Sequence, residues 1–265
     1  KSNERTEAKT SIMSRSQTNH SLDDYVETIL SGSPTPLSVD ELLGKIEQMC
    51  PVDSGARTAI DQAVNRLFQA VPVAPGQYGW LSHLLNGTTF RHPLEKQEIK
   101  KGFLMLDELE HAIFFPEFFQ THTPQQRTLT VEFLDGPKMS ATAYIEQKTW
   151  SLALGDEFEA WVNYVGGRYD DALIIHVVDS LKGRYMVRLQ PREARDEPAI
   201  EQRNITFALT AESILADEKQ VSKAIPTYEL AARLIAGDIF RDPVPPDDMH
   251  YVLHHFSVLK LGDDG

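Results

Sequence analysis

Cysteine is almost missing from this chain: Cys50 stands alone among 265 residues. That excludes an internal disulfide framework and a cysteine-built zinc site, and it fits a reducing cytoplasm. Long apolar runs are missing as well. No stretch approaches the length of a membrane span, and residues 1–20 contain no apolar core of a secretory signal. There is no Gly-x-Gly-x-x-Gly, no phosphate-cradling Gly-Lys-Ser/Thr loop and no Gly-x-Ser-x-Gly elbow, and Cys50 has no evident base partner. These absences point to no cofactor and lean away from an enzyme. Positive charge is scarce: 26 Lys and Arg face 39 Asp and Glu, a net charge of −13. Such a balance repels nucleic acid at long range, so any nucleic-acid contact needs a local basic face.

What is present is enough apolar material, 41% of residues, for one large or two ordinary cores. Residues 1–20, rich in Ser, Thr, Asn and charge, are expected to form a disordered tail. Leu22, Val26, Ile29 and Leu30 then share one helical face behind Ser21, and Gly32, Pro34 and Pro36 end that helix. Ser38 with Glu41 makes a capping box, in which hydroxyl and carboxylate each satisfy the other's free backbone amide. A third helix fits 54–70, with Ile60, Ala63, Val64, Leu67 and Phe68 inward and Arg57, Thr58, Asp61, Gln62, Asn65 and Arg66 outward. Residues 72–91 follow as a glycine-punctuated hairpin containing Tyr78, Trp80 and Phe90. Three helices and then a hairpin is the order of a winged helix.

Residues 93–120 keep a helical period through Ile99, Phe103, Leu106, Leu109 and Ile113, ending in the apolar plug Phe114, Phe115, Phe118 and Phe119. From Arg127 the period becomes two. Leu129, Val131 and Phe133, the turn Asp135-Gly136-Pro137, then Met139, Ala141, Ala143 and Ile145 read as a hairpin, and Trp150 and Leu152 suggest a third strand. A short helix over 156–165, a second hairpin over 172–189, and helices over 197–221, 226–236 and 247–259 complete the expectation. The resulting fold class is α+β: a disordered tail (1–20), a winged-helix domain with an extra helix (21–123), and a small sheet or open barrel closed by helices (124–265).

The stretch Pro36-Leu37-Ser38-Val39-Asp40-Glu41-Leu42, the helix from Ala59 to Phe68 and Tyr78-Gly79-Trp80-Leu81 together resemble the small winged-helix family known as HARE-HTH, found in the RNA polymerase delta subunit and in chromatin- and restriction-linked proteins. The resemblance spans about 22–94. Ser82 to Gly87 departs from the family pattern as an extra helical turn inside the wing. What the resemblance implies is a module linked to DNA or to polymerase, without catalytic residues.

The expected DNA-contacting set is Arg57, Thr58, Gln62, Asn65, Arg66 and Arg91, with double-stranded DNA as the partner. The support is an island of net charge +3 over 55–101, to which Lys96, Lys100 and Lys101 also contribute. RNA polymerase or another basic protein is the alternative partner. Arg184, Arg188, Arg192 and Arg195 interleave with acids and read as a solvated salt-bridge face. Asp135 with Glu146 and Lys148 evokes a metal-dependent nuclease, but opposite ends of a strand of about ten residues lie ~30 Å apart, too far for two carboxylates to share an ion. His250 and His254 have zinc-compatible spacing without a third ligand, so they read as helix surface.

Overall fold

The computed structural model describes residues 21–118, 127–146, 149–218, 224–260 and 262. The expected tail, Phe119 and Lys148 therefore lie outside the described residues. The architecture is α+β. It begins with α1 (Leu22–Ser31), β1 (Leu37–Ser38), α2 (Val39–Glu47), α3 (Ala56–Arg66), β2 (Ala70–Ala74) and β3 (Gln77–Trp80). Both expected N-caps form. Ser21 and Asp24 close a box on α1, and Ser38 and Glu41 one on α2, where the Ser38 amide donates to the Glu41 carboxylate at 2.7 Å. The three strands pair antiparallel in the order β1-β3-β2. Val26, Leu42, Ile46, Ile60, Val64, Tyr78 and Trp80 make one core from these helices and strands.

The hairpin is shorter than the sequence pattern indicated. Ala74 pairs with Gln77, so the tip is only Pro75 and Gly76, and Gly76 is left-handed (φ 68°). Its carbonyl accepts from the Val39 amide, which holds the tip against the start of α2. After Trp80 the chain leaves this core. Leu81 opens α4 (Leu81–Leu85), and β4 (Thr89–Pro93) pairs with a strand far along the sequence, not with β3.

The helix expected over 93–120 is divided into α5 (Lys96–Lys101), β5 (Phe103–Met105) and α6 (Glu108–Phe114). Gly102 is the cause. It adopts φ 68°, terminates α5, and lies so near Gly155 that an added Cβ would sit 2.3 Å from the Gly155 carbonyl oxygen. Only glycine suits such a position.

The remaining elements are β6 (Thr128–Phe133), β7 (Lys138–Glu146), β8 (Thr149–Ala153), α7 (Asp156–Tyr164), β9 (Ala172–Asp179), β10 (Arg184–Gln190), α8 (Glu197–Glu218), α9 (Thr227–Ala236) and α10 (Met249–Phe256). Both expected hairpins, β6–β7 and β9–β10, are present. A seven-stranded sheet runs β4-β9-β10-β6-β7-β8-β5, with β6 and β10 parallel and its other pairs antiparallel. Phe90, Phe114, Phe115, Phe133, Tyr185, Phe207 and Phe240 fill the second core between this sheet and the helices. Because β4 and β5 belong to this sheet, the boundary expected at residue 123 does not coincide with the division between the cores. α9 packs on both β2 and α4 and so touches each side. No described helix is long and apolar enough to cross a membrane.

Candidate nucleic-acid interface

α3 buries Ile60, Ala63 and Val64 and leaves Arg57, Thr58, Gln62, Asn65 and Arg66 exposed. Spacing alone accounts for this: 3.6 residues per turn puts the apolar positions on one face and the polar ones on the other. Neither arginine is free. Arg57 pairs with Asp40 of α2, both side chains about two-thirds exposed. Arg66 grips Asp23 of α1 through two bonds of 2.9 and 2.5 Å, and the Asp23 carboxyl is held below its usual range chiefly by that hydrogen bond. Asp61 accepts from the Tyr78 hydroxyl at 3.1 Å, tying α3 to the hairpin. The C-terminal end of α3, with Asn65 and Arg66, borders a cleft shared with Tyr228 and Glu229 of α9. Arg57, Thr58 and Gln62 lie away from that cleft.

Arg91 is a correction. It sits on β4, its side chain is 1% exposed, and it cannot reach a phosphate at the surface. Its guanidinium donates to Gln190 and to the Pro245 carbonyl (3.2 Å), with Asp247 at 3.4 Å. Asp247 in turn binds Arg195 at 3.0 Å and Asn204 at 2.9 Å. Burial, reinforced by the neighbouring Arg195 cation, pushes the Arg91 pKa down to about 10 despite Asp247. Arg91 therefore fastens the segment before α10 to the sheet. The basic island read over 55–101 also disperses, since Lys96, Lys100 and Lys101 are on α5 beside the second core.

The structure brings together other groups that the sequence did not flag. His92, next to Arg91, is buried between two carboxylates: Nδ1 is 2.6 Å from Glu110 and Nε2 is 3.0 Å from Glu98. Burial opposes its charge, but Glu110 and Glu98 outweigh burial and hold its pKa well above 6.5. Both glutamates also accept backbone amides in the capping boxes of α5 and α6, so the imidazolium joins two helix starts. No local spacing links His92 to Glu110, which lies eighteen residues along the chain.

The other candidates also resolve. Arg195 pairs with the nearby Glu197 as expected, but also with the distant, largely buried Asp247, and Arg192 pairs with Asp170, whereas Arg184 and Arg188 are exposed and in no ion pair among the described residues. His250 pairs with Glu108 at 2.8 Å. Asp135 occupies the β6–β7 turn, at the opposite end of β7 from Glu146, and no cluster of three metal-ligating residues occurs among the described residues.

No family model matches the sequence, and no curated protein matches it. Solved structures similar to part of the chain include an Arabidopsis FUS3–DNA complex, at 14% identity and TM-score 0.30 over 38% of this chain and 95% of that one. The N-terminal domain of Helicobacter pylori LlaJI.R1 matches at 10% identity and TM-score 0.32, over 40% of this chain and 82% of that one. A hypothetical Arabidopsis thaliana protein matches at 13% identity and TM-score 0.26, over 38% of this chain and 87% of that one.

Proposed function

We propose that the protein is a DNA-binding regulator whose winged-helix unit ends between Trp80 and Leu81. In this reading α3 enters the major groove with Thr58, Gln62 and Asn65 toward base edges, and Arg57 and Arg66 take flanking phosphates. The observation that carries it is the uninterrupted polar face of α3 on a helix–strand–helix–helix–hairpin frame. Surface ion pairs such as Arg57–Asp40 contribute little to folding, so the guanidinium can exchange a carboxylate for a phosphate at small cost. Duplex binding should be weak and steeply salt-dependent. Replacing Arg57, Asn65 and Arg66 together with Ala should lower DNA retention and reduce the salt slope by roughly two, about one for each lost phosphate contact. Unchanged retention, or none by the intact protein at low salt, would sink this reading.

One observation favours a second reading. Between Ser21 and Trp80 there are eight acidic residues and three basic ones. An acidic winged-helix unit suits docking on a basic protein surface such as that of RNA polymerase. Capture of polymerase by the intact protein, abolished by Asp40→Lys and without DNA affinity, selects it.

A further inference from the structure

The outward side of the seven-stranded sheet carries an arrangement used by neither reading. Leu134 and Met186 are 51% and 44% exposed there. Both line two adjoining concavities, so they form the ridge between them. The larger concavity, of about 850 Å³, lies toward α7 and is rimmed by Glu132, Asp135 and Glu157, with Tyr164 80% exposed at its edge. The smaller, of about 230 Å³, lies toward β4 and β9 and is lined by Thr89, His176 and Arg188. Among the described residues, Glu132, Asp135, Glu157 and Arg188 take part in no ion pair.

The turn that carries Leu134 is also tied down on both sides. The Leu134 amide donates to Val187 at 2.8 Å, and the Leu134 carbonyl accepts from the Trp161 indole at 3.3 Å. Gly136 lets the turn lie flat on that indole, since an added Cβ would meet the ring at 2.2 Å. The Leu134 backbone is thus fixed before anything binds, which lowers the cost of ordering the turn when its side chain is covered.

An apolar ridge with uncommitted carboxylates on one side and an uncommitted guanidinium on the other is complementary to itself. A two-fold axis beside the ridge brings Leu134 and Met186 of two copies together, and lays each basic end against the other's acidic end. A purely cationic partner would leave Arg188 facing like charge. We propose that this face is an interface between two copies of the chain in solution, with Leu134 and Met186 at its centre and Arg188 opposed to the Glu132–Glu157 rim.

The test is sedimentation equilibrium of the full chain and its charge-reversed variants. Glu132→Lys with Glu157→Lys reverses the acidic end. Asp135 is left alone because its positive φ (55°) disfavours most replacements. Arg188→Glu reverses the basic end. These positions are exposed, so the near- and far-ultraviolet circular dichroism of each variant should match the parent and show that it is folded; the thermal midpoint is not the criterion, because a weaker dimer lowers it by mass action. The expected result is a reversible dimer for the parent. Each variant alone should dissociate at least about tenfold more readily, and an equimolar mixture should regain dimers close to parental strength. A monomeric parent, a dimer indifferent to both reversals, or a mixture no stronger than either variant would overturn the proposal. So would a parent that stays monomeric while a lysine–leucine peptide binds the ridge, because the occupant would then be another protein.

Discussion

Arg66 and Arg91 make an instructive pair. Both are arginines held by aspartates, and both fall in the stretch that looked like one basic island. Arg66 lies in the open on α3 and can trade Asp23 for another anion. Arg91 is enclosed with Gln190, Pro245 and Asp247, and its removal leaves buried polar groups stranded. The same chemistry thus gives an exchangeable surface charge in the first core's unit and a fastening inside the second. Burial separates the two roles, because desolvation makes an unmatched charge expensive only where water cannot reach it.

The largest effect expected from breaking this contrast is at Arg91. Arg91→Ala should lower stability by roughly 3–5 kcal/mol in urea denaturation, the usual cost of removing one partner from a buried charge pair. A loss similar to that of a surface substitution would mean that the 245–247 segment is not held by Arg91. Next comes the neighbouring His92. Its folded pKa is raised above 6.5, so its stabilisation is complete below that pH and is lost as pH climbs through the folded value. Asp107, whose carboxyl is pushed from 3.8 up to about 8 by burial and then by Glu110, acts in the same direction between those values. Stability should therefore fall with rising pH, most steeply from 6.5 upward, and His92→Gln should be less stable at pH 6 and show a flatter profile, retaining the Asp107 part and that of His250, whose pKa the Glu108 hydrogen bond also raises. A parent profile that rises over this range contradicts the Glu98–His92–Glu110 arrangement.

On the exposed side, Arg57→Ala and Arg66→Ala should leave the unfolding midpoint essentially unchanged while each weakens duplex binding several-fold at low salt. The smallest and most discriminating change is removal of the carboxylates. Asp23→Asn with Asp40→Asn should raise duplex affinity a few-fold, because both acids compete with phosphate for the same guanidinia. Equal or lower affinity would show that the arginines are not used for phosphate.

Features coded within a few residues were legible in the sequence. The Ser38–Glu41 box, the apolar face of α3 and the Asp135-Gly136-Pro137 turn all formed where spacing placed them. What depends on distant pairing was not. A three-residue strand such as Phe103–Met105 has too few positions to separate a period of two from a period of 3.6, and its strand character comes from Ser151–Ala153. Thr89–Pro93 looks like a returning wing strand until Ala172–His176 claims it. That pairing buries Arg91 and His92, so the misreading of one strand carried a site residue with it. Asp23 and Asp40 were also missed as partners of α3, since both sit in first turns of other helices, where acids are ordinary.

The most direct measurement of the central claim is the salt dependence of duplex DNA binding by the intact chain, with and without Arg57→Ala and Arg66→Ala. The expected result is binding at low salt whose log–log slope falls by roughly two in the double variant, with an unfolding midpoint equal to the parent's. Identical slopes for the two proteins, or no binding by the parent at low salt, would contradict a DNA-contacting role for α3.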